Sequence, residues 1–225
     1  MEHQPARDLT TAPAEWTDVE SLFSRPGEPS RCWCRYFALT GPEYSALEPA
    51  ARKAQLREKF DGASPAPGVL AFRGGQPVGW CAVEPRTCYP RVLRSQVLRR
   101  AEAAAPADSG YTGTGDTGGI WSVTCFVVAP GHRRSGVAEA LLRAAVEHAR
   151  ANGADVVEGY PVDRELRPKA GSADLYHGTL NLFLRAGFRA VSSAVPGRAV
   201  VRLDLREGAA RACLPNPEAV VRTLN

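Results

Sequence analysis

An α/β fold, with helices flanking a mixed and mostly antiparallel sheet, is predicted by three features of the chain. A tight hairpin comes early, from residues 68–72 and 78–83 around Gly74-Gly75-Gln76. Strand–helix units come later, of which residues 120–128 followed by 136–152 form the clearest. That order excludes a regular βαβ alternation and with it an all-parallel sheet. Finally, 225 residues at 44% hydrophobic content suffice to bury one proper core, so residues 1–225 read as a single domain.

Taken in order, the elements follow from local pattern. Residues 1 to about 13 are polar and read as a mobile lead. Residues 15–23 form a short helix, and 25–29 a turn. Residues 31–37 (Arg-Cys-Trp-Cys-Arg-Tyr-Phe) alternate bulky and polar side chains as a strand does. A helical region over 42–59 places Tyr44, Leu47, Ala51 and Leu56 on one side, and Pro49 divides it. The hairpin's two glycines supply the positive φ that tight turns require. Residues 90–100 form a basic helix, and 101–119 a mobile loop of Ala, Gly, Ser, Thr and Asp. In the helix over 136–152, Val137, Leu141, Ala144, Ala145 and Ala149 line one face, and Gly153 caps its end. Residues 155–160 form a buried strand stopped by Pro161. A helix over 173–186 and strands over 188–192 and 199–205 complete the fold. The tail over 206–225 contains two prolines and carries no assigned role.

The most informative stretch is Val128-Ala129-Pro130-Gly131-His132-Arg133-Arg134-Ser135-Gly136-Val137-Ala138-Glu139. An apolar strand ends at a proline, a basic loop follows, and a helix starts at once. The helix N-terminus offers free N–H groups and the positive end of its dipole, an arrangement suited to phosphate oxygens. Gly136 and Ala138 keep side chains out of the way, and Arg133 and Arg134 add charge. No Walker string is present, and Gly131 and Gly136 are wrongly spaced for a dinucleotide fingerprint. The glycines over 113–119 precede a strand instead of following one.

The pattern that fits is Arg133-x-x-Gly136-x-Ala138 at a strand-to-helix corner. It resembles the acetyl-CoA signature of the GNAT N-acetyltransferase superfamily. A second element, Phe183-Leu184-Arg185-Ala186-Gly187-Phe188, resembles that family's helix-end Gly-Phe about fifty residues on. The resemblance covers roughly residues 68–204 and implies the family's sheet, in which the fourth strand splays from the fifth. It also implies that Phe126, Val127 and Val128 offer backbone to the pantetheine arm. The cradle residues Arg133, Arg134, Ser135, Gly136, Val137, Ala138 and Glu139 would hold the diphosphate. Glu158-Gly159-Tyr160-Pro161-Val162-Asp163, Trp80-Cys81 and Cys32-Trp33-Cys34 resemble a bacterial subgroup whose acceptor is unassigned.

Composition excludes several other classes. A net charge of +4 with dispersed arginines gives no nucleic-acid footprint. No window reaches the length of a membrane span, and Met1-Glu2-His3-Gln4 is unlike a signal peptide, so a cytoplasmic location is expected. The six cysteines then read as free thiols. Cys32-x-Cys34 lacks a second Cys/His pair at finger-like spacing, so no metal is expected.

Transfer of an acetyl group from a thioester to an amine requires deprotonation of the ammonium and stabilisation of the oxyanion and the departing thiolate. Glu84, ending Gly79-Trp80-Cys81-Ala82-Val83, and Glu158 are the candidate bases; the alternative for each is an arginine partner such as Arg86 or Arg164. The resemblance places a tyrosine of many relatives at Phe183, which has no proton to give. Tyr176 is the remaining candidate on that helix, to bind cofactor, donate a proton or pack. Cys125 reads as a buried small thiol, since no His is placed beside it. His132 and His177 read as solvated, and Trp33, Trp80 and Trp121 as core. The resemblance thus implies an N-acetyltransferase using acetyl-CoA on a primary amine, expected to be a small molecule, by direct attack. An acyl-CoA-binding module with little turnover and a protein-amine acceptor stay open, as does a homodimer.

Overall fold

The computed structural model describes residues 9–62, 65–104 and 119–206. Within them the chain forms β1 (Leu9–Pro13), α1 (Trp16–Phe23), α2 (Glu28–Cys32), α3 (Gly41–Ala46), α4 (Pro49–Gly62), β2 (Gly68–Arg73) and β3 (Gln76–Pro85). Next come α5 (Pro90–Leu93), α6 (Gln96–Ala104), β4 (Ile120–Val128), α7 (Val137–Ala151) and β5 (Val156–Gly159). Then follow α8 (Ser172–Leu175), α9 (Leu180–Arg185), β6 (Arg189–Val195) and β7 (Arg198–Asp204). One sheet of seven strands runs in the order β1-β2-β3-β4-β5-β7-β6. Only β4 and β5 pair in parallel; the other neighbours are antiparallel. The mixed, mostly antiparallel sheet read from the sequence is therefore the one observed.

Alternation along β2 and β3 sorts side chains to two faces. Val69, Ala71, Cys81 and Val83 meet Val137, Leu141, Leu142 and Ala145 of α7. Leu70, Trp80 and Ala82 face the other way, against Val19, Leu22, Phe23, Trp33 and Leu56. Gly79 allows the close approach of α7, because a Cβ there would stand 2.7 Å from Val137 Cγ1 and 2.9 Å from Leu141 Cδ1. A third cluster, including Tyr89, Leu98, Tyr160 and Val200, fills the side covered by α5 and α6.

Four sequence readings are corrected. The lead to Pro13 contains β1, which pairs with β2 from Leu9↔Arg73 to Pro13↔Val69. Its side chains are mostly exposed, so backbone pairing and not hydrophobic pattern holds it. Residues 31–37 are not a strand. Pro29 in the first turn starts α2, and Trp33 and Cys34 follow in left-handed conformation at φ 47 and 50. The basic helix over 90–100 is two pieces, and the second continues to Ala104, into the expected loop; residues 105–118 lie outside the described residues. The helix over 173–186 is also two pieces, broken where Gly178 takes φ +76 and Thr179 caps α9 by accepting from Leu182 N–H at 3.4 Å. The tail over 207–225 lies outside the described residues.

No helix among the described residues is long and apolar enough to cross a membrane.

Candidate functional site

The site is built around β4. Its pairing with β5 runs from Ile120↔Val156 to Val123↔Gly159 and stops there, just before Pro161. Beyond that point β4 continues alone on that side, so the two strands part. Ala129 N–H donates to Val78 C=O at 2.9 Å, which fixes the alternation along β4. Val127 therefore turns its backbone to β3, where it pairs with Trp80, while Phe126 and Val128 turn theirs into the gap. Of the three residues expected to offer backbone, Val127 contributes its side chain instead. Phe126 N–H is occupied: it donates to Tyr176 C=O at 2.7 Å, so the chain after α8 spans the gap.

At the end of β4 the corner has the shape read from the sequence. A 3-10 turn over Pro130–His132 leads to Arg134 at φ 61 and to Gly136 at φ 83, the N-cap of α7. The first bond into the helix is Ala140 N–H to Gly136 C=O, 3.0 Å, so the N–H groups of Val137, Ala138 and Glu139 precede it. Gly136 is required by its φ and not by crowding; a Cβ there would meet no protein atom within 4 Å. That open space beside free N–H groups fits an oxyanion. Arg133, Arg134 and Ser135 are exposed around it, with Ser135 Oγ donating to His132 C=O at 2.7 Å and Arg133 Nε to Val128 C=O at 3.4 Å. Glu139 is paired with Arg143 at 2.7 Å, which offsets its charge beside the corner. Val137 itself is buried against the sheet.

On the opposite face of β4 lies a cavity of about 250 Å³. Cys125 and Val127 form its floor, and Phe23, Cys32, Cys34, Tyr36, Phe37 and Tyr44 come from the N-terminal third. Asp174, Tyr176, His177 and Arg198 close the far side. Asp174 is bonded to Arg198 and lies 3.3 Å from Arg167 Nη2. The His177 ring packs edge-on to Phe37 at 4.9 Å. Burial first, and Arg198 second, push its pKa down to about 4. Tyr176 lines the cavity at the end of α8, so it does not share a helix with Phe183.

The two candidate carboxylates do not line this cavity. Glu84 accepts from Lys59 Nζ at 2.8 Å. Glu158 is fully buried; Oε1 accepts from Tyr160 Oη at 2.5 Å and Arg86 Nη1 at 3.4 Å, and Oε2 from Arg202 Nε at 2.8 Å. For Glu158 the arginine alternative, with Arg86 the partner, is the arrangement present. Burial, then Glu158, push the Tyr160 hydroxyl well up, keeping it a donor. Phe183 is fully buried, edge-on to Phe126 at 6.0 Å and Phe188 at 5.1 Å. Its ring occupies the space a side chain at Gly159 or Gly178 would need, so it packs beneath the gap and presents no surface to it. Trp33, Trp80 and Trp121 are core, as expected.

The sequence reading missed most of the cavity wall. Tyr36, Tyr44, Asp174 and Arg198 belong to no motif, and His177 reads from the sequence as solvated. They meet because the segment from α2 to α3 comes together with α8 and the start of β7 at the end of β4. Among the described residues no group of three His, Cys, Asp or Glu is placed to hold a metal ion.

Comparison with known proteins agrees with this fold. The model of the acetyltransferase (GNAT) family matches residues 33–164. The fold is similar to that of YncA from Salmonella typhimurium, solved with its cofactor acetyl-CoA, at 12% identity and a TM-score of 0.50 over 88% of this chain and 94% of that one. It is similar, too, to an N-acetyltransferase from Staphylococcus aureus Mu50, at 14% identity and a TM-score of 0.50 over 88% of this chain and 99% of that one. No curated protein matches by sequence. With a family model covering more than half of its length, the chain belongs to the acetyltransferase (GNAT) family.

Proposed function

We propose that the protein transfers the acetyl group of acetyl-CoA to a primary amine of a small-molecule acceptor, by direct attack within a ternary complex. The observation that carries this is the double use of β4. One end of it opens into the Gly136 cradle, and its floor residues Cys125 and Val127 face a cavity. The N–H groups of Val137, Ala138 and Glu139 hold the diphosphate, with Arg133 and Arg134 beside it and Ser135 shaping the turn. The pantetheine arm lies along the gap edge at Phe126 and Val128, displacing the Tyr176 carbonyl from Phe126 N–H. The amine enters the cavity from the other face, where Phe23, Tyr36, Phe37, Tyr44 and Tyr176 supply aromatic wall. About 250 Å³ suits a compact acceptor or a single extended side chain. The departing CoA thiol, near its ordinary pKa of about 8.5, leaves without a dedicated acid, consistent with Phe183 having none to offer.

The test is thermal unfolding with acetyl-CoA. Saturating ligand should raise the midpoint by about 5 °C or more. Gly136→Asp, which sets a carboxylate among the phosphates and strains a φ of +83, should remove the shift. Wild-type protein that shows no shift is incompatible with the proposal. Phe183 also favours a second reading, a binding module with little turnover; a shift without CoA release over a panel of primary amines would establish it.

A further inference from the structure

An ammonium acceptor must lose a proton beside the thioester, and the carboxylates read from the sequence are engaged elsewhere. Glu84 is held by Lys59, and Glu158 is enclosed by Arg86, Arg202 and Tyr160. Inside the cavity, His177 takes up a proton only near pH 4, and Asp174 is bridged by two arginines. The remaining wall carries thiols, and Cys34 differs from the others in how it is held. Two consecutive left-handed residues, neither of them glycine, send Trp33 into the core and leave Cys34 lining the cavity. Its sulfur receives the Nε1–H of Trp80 at 3.2 Å, and Cys125 lines the same cavity. An N–H donor from β3 aimed at a sulfur on the cavity wall stabilises a thiolate there.

We propose that Cys34 is the general base, its thiolate taking the proton of the acceptor ammonium within the cavity. The inference rests on the acetyltransferase reading above. The freed amine attacks the acetyl carbonyl, a C–N bond forms, and the C–S bond to CoA breaks. The second proton on nitrogen passes to the departing CoA thiolate, and Cys34 returns its own to solvent, so the step needs no further reactant.

The surroundings support this division of roles. The Cys125 hydrogen bond lowers the Cys34 pKa; burial opposes it, Trp80 and Arg35 reinforce it, and Glu84 of β3 opposes it. Cys125 is pushed well above the usual thiol range, first by its bond to Cys34 and then by burial, so it stays a donor. Cys32 on the same turn is raised by burial, as are Cys81 of β3 and Tyr89 beyond it. Tyr176 and His177 line the same cavity from the α8 side. Cys34 is thus the cavity thiol whose acidity is increased.

Two measurements on the full chain test this. First, alkylation of Cys34 by iodoacetamide is followed by peptide mass spectrometry from about pH 5 to about pH 9. The acid limb for Cys125→Ala should move up by about one pH unit or more, for loss of one donor to a charged sulfur. Second, CoA release is followed with the most active member of a panel of aromatic and aliphatic primary amines. Cys34→Ser should lower kcat by about 10²-fold or more while keeping the acetyl-CoA thermal shift, and Cys125→Ala should move the acid limb of kcat/KM as it moves alkylation. Wild-type kcat and pH profile in Cys34→Ser would overturn the proposal. So would acetyl groups accumulating on Cys34 without amine, which would make it a nucleophile, or an alkylation profile unmoved by Cys125→Ala. Wild-type protein that releases no CoA with any amine would instead defeat the acetyltransferase reading, and the base with it.

Discussion

At the scale of single residues, burial decides charge. His177 is neutral in the folded protein because its pKa is pushed down to about 4, against about 6.5 in an unfolded chain. Between those values the unfolded state binds a proton that the native state refuses. Stability is therefore full above about pH 6.5, falls as pH drops toward 4, and loses up to about 3 kcal/mol from this group. Urea unfolding of the wild type and His177→Gln across that window checks it: the variant should show the shallower slope. Nothing around Tyr-His-Gly at 176–178 in the sequence distinguishes a buried imidazole from a solvated one. Phe37, which packs on His177, is 140 residues away along the chain. Gly136 is the opposite case. Its left-handed φ is tied to a local strand–loop–helix pattern, so the cradle could be read before the fold was known.

At the scale of elements, α7 carries the cradle and is seated by Gly79. Gly79→Ala would bring a Cβ against Val137 and Leu141, the buried residues of the first turns, and push the helix off β3. The expected cost is about 1–3 kcal/mol, as for other overpacked sites. Acetyl-CoA affinity should weaken in parallel, because the N–H groups move with the helix. Urea denaturation combined with calorimetric titration of acetyl-CoA measures both. A variant that loses stability but binds normally would show that the cradle is positioned by its loop and not by this contact. The α7 amphipathicity was plain in the sequence, as was the hairpin. β1 and α2 were not: β1 has almost no buried side chain to produce a pattern, and α2 is a single proline-started turn whose alternating neighbours imitate a strand.

At the scale of the molecule, a buried ionic network fastens the half of the sheet beyond the gap. Glu158 of β5 joins Arg202 of β7, Arg86 from the segment after β3, and Tyr160, which in turn bonds Ser122 of β4 at 2.8 Å. Glu158→Gln would remove the one carboxylate shared by Arg86 and Arg202, leaving Arg86 with Glu102 at 4.0 Å, and should cost about 3 kcal/mol by urea unfolding. Because Glu158 has no surface in the cavity or the cradle, the acetyl-CoA shift should persist at temperatures where the variant is folded. A large loss of kcat with unchanged stability would instead return Glu158 to the role of base.

The sequence by itself determined what depends on neighbours in the chain: the mixed α/β order, the hairpin, the divided α3–α4 region, and the strand–loop–helix corner at Gly136. These rest on period, proline and glycine, which act over a few residues. The tertiary structure alone decided what lines the cavity, where Phe183 and Tyr176 separate at Gly178, and which partners hold Glu84 and Glu158. Those outcomes depend on contacts between residues tens of positions apart, such as Cys34 with Trp80 and Cys125, and a side chain's chemistry is set by what packs against it.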